Sequence, residues 1–274
     1  MNFLQSIILG LLQGLTEFLP ISSSGHLLIM PAILGWDDPG AAFTATIQLG
    51  TEAAVLIYFR KDLWRIARTW IVSWSDRDLR RSPDARMGWY LVIATVPIAL
   101  LGFAFQNLIE TAARNLWLVS GTLIVFGLVL GLADRIGART RRTEELSFRD
   151  GALIGVAQSL ALIPGVSRSG ATISAGLFLG LQREAAARFS FLLAIPAVVL
   201  SGTYELLKIV TGKEHVAEPL LNVAVATAVA FVVGMAVIAW FLRYLTTHSL
   251  KIFVWYRIGL GCLVLVLLSA GAIS

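Results

Sequence analysis

Charged residues are scarce in this chain of 274 residues: 14% are Asp, Glu, Lys or Arg, whereas 57% are hydrophobic and the mean hydropathy is +0.78. So few polar groups cannot cover the surface of a soluble protein of this length. The composition therefore excludes a soluble enzyme or binding module and indicates a polytopic membrane protein.

A second cysteine and the features of a signal peptide are also missing. The single cysteine, Cys262, lies within an apolar run, so an internal disulfide is excluded. Residues 1–19 are apolar but lack the basic start and the small-residue cleavage site of a signal peptide, and they contain Gln13 and Glu17. We interpret them as part of one mature integral membrane domain that spans residues 1–274.

The net charge of +5 comes from basic residues that fall in blocks between apolar runs. Such blocks are typical of cytoplasmic loops, and no nucleic-acid partner is expected. Loops 60–86 and 135–149 carry most of these residues and are predicted to face the cytoplasm. Loops 108–115 and 210–218 are poor in Lys and Arg, so they and both termini are predicted to lie on the outer side.

Apolar stretches of membrane-spanning length define the expected architecture. A bilayer core about 30 Å thick requires roughly 20 apolar residues in a helix. Six stretches satisfy this, at about 41–59, 88–107, 116–134, 188–209, 219–242 and 252–272. Segments 2–35 and 150–181 are instead broken by Pro, Gly and Ser, which is tolerated at membrane depth only where protein or a wet cavity covers the backbone. We predict that these two are re-entrant helical hairpins.

The two broken segments align with each other without gaps. The alignment matches Gly10 with Gly155, Gln13 with Gln158, Leu15 with Leu160, Ser22 with Ser167, Ser24 with Ser169, Gly25 with Gly170 and Gly35 with Gly180. We interpret the chain as a duplication, with repeat 1 at about 1–134 and repeat 2 at about 150–274. Because each repeat holds three spans, the second enters the membrane in the opposite sense. The predicted fold is all-α, with six transmembrane helices plus two re-entrant hairpins in an inverted-topology repeat.

The hairpin tips, Ser22–Gly25 and Ser167–Gly170, are predicted to meet near the midplane and to form a polar site. Arg168 lies at the expected N-terminus of a helix, where backbone N–H groups and a guanidinium favour a phosphate. The first hairpin contributes a carboxylate, three hydroxyls and an imidazole: Glu17, Ser22, Ser23, Ser24 and His26. The spacing allows the hydroxyl of Ser22 or Ser23 to reach the His26 imidazole. A hydroxyl beside a base, near donors for an oxyanion, is suited to attack on phosphorus.

The motifs "QGLTEFLPISSSGH" and "PGVSRSGATIS" closely resemble those of the bacterial undecaprenyl pyrophosphate phosphatases, the bacitracin-resistance family, and the resemblance covers essentially the whole chain. It implies hydrolysis of undecaprenyl pyrophosphate to undecaprenyl phosphate and inorganic phosphate, which recycles the lipid carrier for cell-wall synthesis. It also implies a bacterial cell-membrane protein whose site opens to the periplasm. The expected partner is a polyprenyl pyrophosphate lipid, and a monomer and a homodimer both stay open.

The resemblance also assigns residues by position. The expected catalytic residues are Glu17, Ser23, His26 and Arg168. The expected phosphate-binding residues are Ser22, Ser24, Ser167, Ser169, Gly170 and Thr172. A divalent cation, Mg²⁺ or Ca²⁺, is expected, with Glu17 as a candidate ligand. Gln13 stands where the family often has Glu, which removes one carboxylate from such a metal site.

Gln48 and Glu52 are accessory candidates, because they lie four residues apart on one face of the first span. Glu52 either replaces the charge missing at Gln13 or makes a structural hydrogen bond. Arg257, near the end of the last span, is interpreted as a snorkelling side chain.

A transport function stays open as the alternative to catalysis. A lipid-phosphate transporter or flippase with inverted repeats would use Arg168 only to bind its cargo. Arg168 could also pair with Glu17 as a structural contact, which is compatible with catalysis. A scaffold would leave the polar cluster unexplained. The Ser, His and Glu side chains favour a hydrolase, which needs a nucleophile and a base. Either Ser23 or an activated water is the attacking group.

Overall fold

The computed structural model describes residues 1–106, 108–109, 114–211 and 218–273. These residues form α-helices and short 3-10 turns, and no β-strand occurs among them, so the predicted all-α class is confirmed. In chain order the α-helices are α1 (Phe3–Thr16), α2 (Ser23–Leu34), α3 (Gly40–Tyr58), α4 (Arg60–Val72), α5 (Pro83–Ala104), α6 (Leu116–Ile136), α7 (Phe148–Ser159), α8 (Arg168–Phe178), α9 (Arg183–Val210), α10 (Leu220–Leu245) and α11 (Lys251–Ser269).

The helices α5, α6, α10 and α11 are long and apolar enough to cross a membrane, as predicted for their segments. A fifth candidate span is α3 together with α4, but the two are bent by 71° where they join. The chain is therefore a multi-pass membrane protein by the length and composition of its described helices. Much of loops 108–115 and 210–218 lies outside the described residues.

Each of the two broken segments forms a pair of short helices. In the first segment α1 ends at Thr16 and α2 begins at Ser23. In the second, α7 is followed by a 3-10 turn at Leu160–Leu162, and α8 begins at Arg168. Each predicted Pro, Gly and Ser break thus overlaps the interruption between two helices.

The first helix of each pair crosses a neighbouring helix at a glycine. Helix α1 packs against α10 and α7 packs against α5. A Cβ atom at Gly10 would lie 2.4 Å from the Ala226 carbonyl oxygen, and one at Gly155 would lie 2.4 Å from the Ala94 Cα. Both crossings therefore require glycine, because any side chain would push the helices apart.

An ion pair ties together the two ends of the second helix pair. Arg141 binds the Asp150 carboxylate at 2.6 Å and donates to the Leu179 carbonyl at 2.8 Å. The hydrogen bond that Arg141 donates to the Asp150 carboxylate raises the pKa of Arg141 above its usual value. Since Asp150 lies in the first turn of α7 and Leu179 follows α8, this contact helps to fix the position of α8.

Candidate active site

The tips of the two helix pairs meet, as predicted. Arg168 Nη2 donates to Glu17 Oε1 at 2.8 Å, and Ser169 Oγ donates to the Leu19 carbonyl at 3.0 Å. The side chains of Arg168 and Glu17 are only 16% and 9% exposed. This ion pair is also the contact expected if Arg168 were purely structural, so pairing by itself does not distinguish the two roles.

The same unusual backbone turn begins α2 and α8. Ser22 has φ +75° and Ser167 has φ +72°, and their hydroxyl oxygens accept from the N–H groups of Gly25 and Gly170. A positive φ is strained for a residue other than glycine, and such strain clusters at functional sites. In each tip the capping serine also contacts the serine two positions later, at 3.3 Å for Ser24 and 3.1 Å for Ser169.

These caps leave other backbone donors free at both helix N-termini. Among the described residues, no acceptor takes the N–H groups of Ser23 and Ser24 in α2, or those of Arg168 and Ser169 in α8. The positive ends of two helix dipoles and the Arg168 guanidinium therefore lie close together. This arrangement is suited to bind a phosphate group.

The Ser23 hydroxyl is hydrogen-bonded to a carboxylate. Ser23 Oγ donates to Glu17 Oε2 at 2.6 Å, a length typical of a charge-assisted bond. Gln13 Nε2 donates to the same oxygen at 3.0 Å and also reaches Thr51 Oγ1 at 3.3 Å. Glu17 is thus held in place and can accept the Ser23 proton.

The predicted contact between His26 and a serine hydroxyl is wrong. His26 Nδ1 lies 2.7 Å from the Ser22 carbonyl oxygen, and Nε2 lies 2.7 Å from Tyr256 Oη on α11. A carbonyl only accepts, so Nδ1 carries the proton, and in the neutral ring Nε2 accepts from Tyr256. The physical reason is that both hydroxyls have other partners: the Ser22 hydroxyl caps α2 and the Ser23 hydroxyl donates to Glu17, which leaves the Ser22 carbonyl to the imidazole.

The remaining predicted phosphate-binding residues mainly shape the turn in the structure. The Thr172 hydroxyl is buried, donates to the Arg168 carbonyl at 2.8 Å and lies 2.6 Å from Ser190 Oγ. A Cβ atom at Gly170 would lie 3.0 Å from Arg257 Nη1, so this position requires a small residue. The Ser24 side chain is exposed. Direct phosphate contacts for Ser22, Ser24, Ser167, Ser169, Gly170 and Thr172 stay predictions.

The carboxylates of the site fit a cation shared with a substrate. Glu52 on α3 lies close enough to interact electrostatically with Glu17 and Arg168. No hydrogen bond joins the Gln48 side chain to these residues in the described part of the chain, and no group of three or more His, Cys, Asp or Glu that could hold a metal ion occurs there. An all-protein cage is therefore not what these residues offer. Mg²⁺, however, is often held by one or two carboxylates together with substrate phosphates, and Glu17 and Glu52 fit that pattern.

Sequence reasoning missed two functional candidates on α11. Tyr256 contacts His26, and Arg257 is fully buried, so its interpretation as a snorkelling side chain is wrong. The signal that could have revealed Arg257 is an arginine within an apolar run that has no acidic residue one helical turn away.

Comparisons with known proteins agree with these motifs. A family model described as "Bacitracin resistance protein BacA" matches residues 6–263. A protein named undecaprenyl-diphosphatase from Nocardioides sp. is 57% identical over 274 residues, covering 100% of this chain and 99% of the relative. One of the same name from Renibacterium salmoninarum is 55% identical over 275 residues, covering 100% and 98%. A third, undecaprenyl-diphosphatase 3 from Frankia alni, is 56% identical over 292 residues, covering 100% and 97%. The chain therefore belongs to the BacA family of bacitracin resistance proteins.

Proposed function

We propose that this chain hydrolyses undecaprenyl diphosphate to undecaprenyl phosphate and inorganic phosphate in the bacterial cell membrane. The reaction recycles the lipid carrier for cell-wall synthesis and confers bacitracin resistance. The observation that carries the proposal is the Ser23 hydroxyl, bonded to the Glu17 carboxylate where two helix N-termini and Arg168 converge. The names of relatives that are more than 50% identical over the whole chain support the same activity.

Substrate binding rearranges the ion pair. The terminal phosphate occupies the space between the free N–H groups of α2 and α8, and the Arg168 guanidinium turns from Glu17 to the phosphate oxygens. A guanidinium can donate two parallel hydrogen bonds to such oxygens. Glu17 is then released from Arg168 at the moment when it must accept a proton.

The first chemical step is a phosphoryl transfer to Ser23. Ser23 Oγ attacks the terminal phosphorus, its proton passes to Glu17, and the bond from that phosphorus to the bridging oxygen breaks. The bridging oxygen leaves with the lipid as undecaprenyl phosphate. Arg168 and the helix N-termini stabilise the charge that develops on the phosphoryl oxygens.

The second step restores the enzyme. A water molecule attacks the phosphoserine, the bond between phosphorus and Ser23 Oγ breaks, and inorganic phosphate leaves. Ser23 regains the proton that Glu17 took in the first step, and the proton of the water passes to Glu17 and then to solvent. The alternative, a direct attack by water on the substrate, uses the same carboxylate but forms no phosphoserine.

His26 acts as a positioning residue. Its imidazole lies between the Ser22 carbonyl and Tyr256, so it holds the strained turn that presents Ser23. A divalent cation, Mg²⁺ or Ca²⁺, would be held by Glu17 and Glu52 together with the diphosphate. It would supply charge neutralisation of the phosphate oxygens.

The membrane arrangement is proposed to be six transmembrane helices and two re-entrant hairpins in an inverted repeat, with repeat 1 at about 1–134 and repeat 2 at about 150–274. The matched turns at Ser22 and Ser167 and the matched helix crossings at Gly10 and Gly155 support it. With the basic loops in the cytoplasm, the site opens to the periplasm. All groups in the proposed site come from one chain, so a monomer suffices and a homodimer is an additional possibility that the site does not require.

A lipid-phosphate flippase is the second candidate, because the inverted repeat with interrupted helices is a transporter architecture. An assay in detergent micelles distinguishes the two functions, because a micelle has no second leaflet to which a lipid could be moved. We expect the purified protein to release phosphate from undecaprenyl diphosphate in micelles, and Ser23→Ala to release almost none. Binding of the lipid without phosphate release would favour the flippase.

A further inference from the structure

We infer that Arg257 is a positioning residue that links the two interruptions and sets the distance between the N-termini of α2 and α8. Its side chain is 0% exposed. Nη1 donates to the Pro20 carbonyl at 3.0 Å, and Nη2 donates to the carbonyls of Gly165 and Val166, both at 3.0 Å. Pro20 and Gly165 occupy matched positions in the two aligned motifs. One guanidinium therefore joins equivalent carbonyls of both repeats.

The Arg257 guanidinium also donates hydrogen bonds to backbone carbonyls of α6. Arg257 Nε donates to the Leu123 carbonyl at 3.2 Å, and Nη2 reaches the Thr122 carbonyl at 3.4 Å; both acceptors lie on α6. The Thr122 hydroxyl in turn donates to the Pro164 carbonyl at 2.6 Å. Helices α6 and α11 pack against each other, so the position of the Arg257 guanidinium is fixed.

The chemistry of these contacts explains why the residue is an arginine. The interruptions have irregular backbone, whose buried carbonyls need donors in a low-dielectric environment. Arginine presents five N–H donors in a planar fork, and lysine presents one ammonium on a flexible stem. The bonds to Arg257 all go to carbonyl oxygens, and no carboxylate lies within salt-bridge distance of it among the described residues. All the hydrogen bonds described for the Arg257 guanidinium thus bind backbone carbonyl groups.

The Arg257 guanidinium lies next to the residues of the proposed site. Arg257 Nη1 would be 3.0 Å from a Cβ atom at Gly170, in the first turn of α8. The preceding residue, Tyr256, holds His26 in the first turn of α2. Replacing Arg257 should therefore make the distance between the Ser23 and Arg168 backbones more variable, without removing any group that touches the substrate.

This inference rests on the proposed function, and two readouts test it. The variants are Arg257→Lys and Arg257→Gln, and the control is Arg183→Lys. Arg183 binds Asp134 at 2.5 Å and makes no described contact with the site. Phosphate release is measured per folded molecule, in the monodisperse fraction and below the unfolding temperature. In parallel, the distance between α2 and α8 is measured by electron spin resonance with labels at Ile33→Cys and Phe178→Cys in a Cys262→Ala background.

We expect kcat to fall at least tenfold in both Arg257 variants, with KM changed less than threefold and with a broader label distance distribution, and no such change in Arg183→Lys. Retention of kcat within twofold would overturn the inference. So would a loss of kcat without any change in the label distances, or a loss that disappears when activity is expressed per folded molecule. If the wild type releases no phosphate, the proposed function fails, whereas the link itself is then judged by the label distances alone.

Discussion

Replacing Glu17 by Gln tests the proposed base while it keeps the size of the side chain. The amide can still accept the hydrogen bond from Ser23, which is 2.6 Å long in the wild type, but it cannot take the proton. Loss of a general base lowers the rate by about 10²–10⁴-fold. That range corresponds to about 3–5 kcal/mol of transition-state stabilisation.

Glu17→Gln should also affect substrate binding, because Glu17 has Arg168 as its second partner. Arg168 is paired with Glu17 at 2.8 Å, so Glu17→Gln leaves the guanidinium without its carboxylate until an anion arrives. An uncompensated buried charge favours binding of an anionic ligand. We therefore expect kcat to fall at least about 100-fold while KM stays constant or decreases.

The assay is phosphate release in micelles over a range of substrate concentrations, with Glu17→Gln, Ser23→Ala and the double variant. Because residues that act as one unit are not additive, the double variant should be little slower than the slower single variant. Ser24→Ala is the comparison among the serines and should lose far less activity, since Ser24 makes no contact with Glu17 among the described hydrogen bonds. A Glu17→Gln variant with kcat within threefold of the wild type, or with only a raised KM, would refute the assignment of the base.

Other predictions concern binding, positioning, the cation and topology. Arg168→Lys should lower kcat/KM by at least about 100-fold, because a point charge replaces paired donors; equal turnover would show that charge alone suffices. Tyr256→Phe should lower kcat about threefold to tenfold with little change in KM, since removing one hydrogen bond to His26 costs about 0.5–1.5 kcal/mol; an unchanged rate would remove Tyr256 from the account. Gln13→Glu should strengthen the dependence on Mg²⁺ or Ca²⁺, measured by chelator titration, because it places a second carboxylate beside Glu17; identical titrations would contradict a cation at this position. For topology, a cysteine probe at exposed Arg77 should be labelled only from the cytoplasm, and labelling from the periplasm would reverse the proposed orientation.

The interruptions of the fold were predictable because their cause is local. Pro20 and Pro164 lack the backbone N–H that continues a helix, and Ser22 and Ser167 are residues that favour the N-cap of a new one. The helix α4 was not predicted, and residues 60–86 were interpreted as one loop. Its Arg and Lys residues alternate with Leu63, Trp64 and Ile66, so the segment forms an amphipathic helix whose charge obscured its periodicity.

The site was predictable to the extent that the alignment of the two motifs indicated that its halves lie together. Matching the motifs was enough to predict that Glu17 and Arg168 lie together, and their contact confirms that proximity. The partner of Ser23 was not predictable, because it depends on the path of the chain between α1 and α2, which brings Glu17 within 2.6 Å of the hydroxyl while His26 binds the Ser22 carbonyl. The role of Arg257 depends on carbonyls that are remote in sequence, and no local pattern reports such contacts.

The central claim, cleavage of the bond between the two phosphates by this chain, is tested most directly by identifying the products in micelles. Purified wild-type protein is mixed with undecaprenyl diphosphate, and the phosphorus-containing products are followed by phosphorus NMR. We predict one inorganic phosphate for each undecaprenyl phosphate formed, and no such conversion by Ser23→Ala. Release of inorganic pyrophosphate, or unaltered substrate in the presence of folded wild-type protein and divalent cation, would contradict the account.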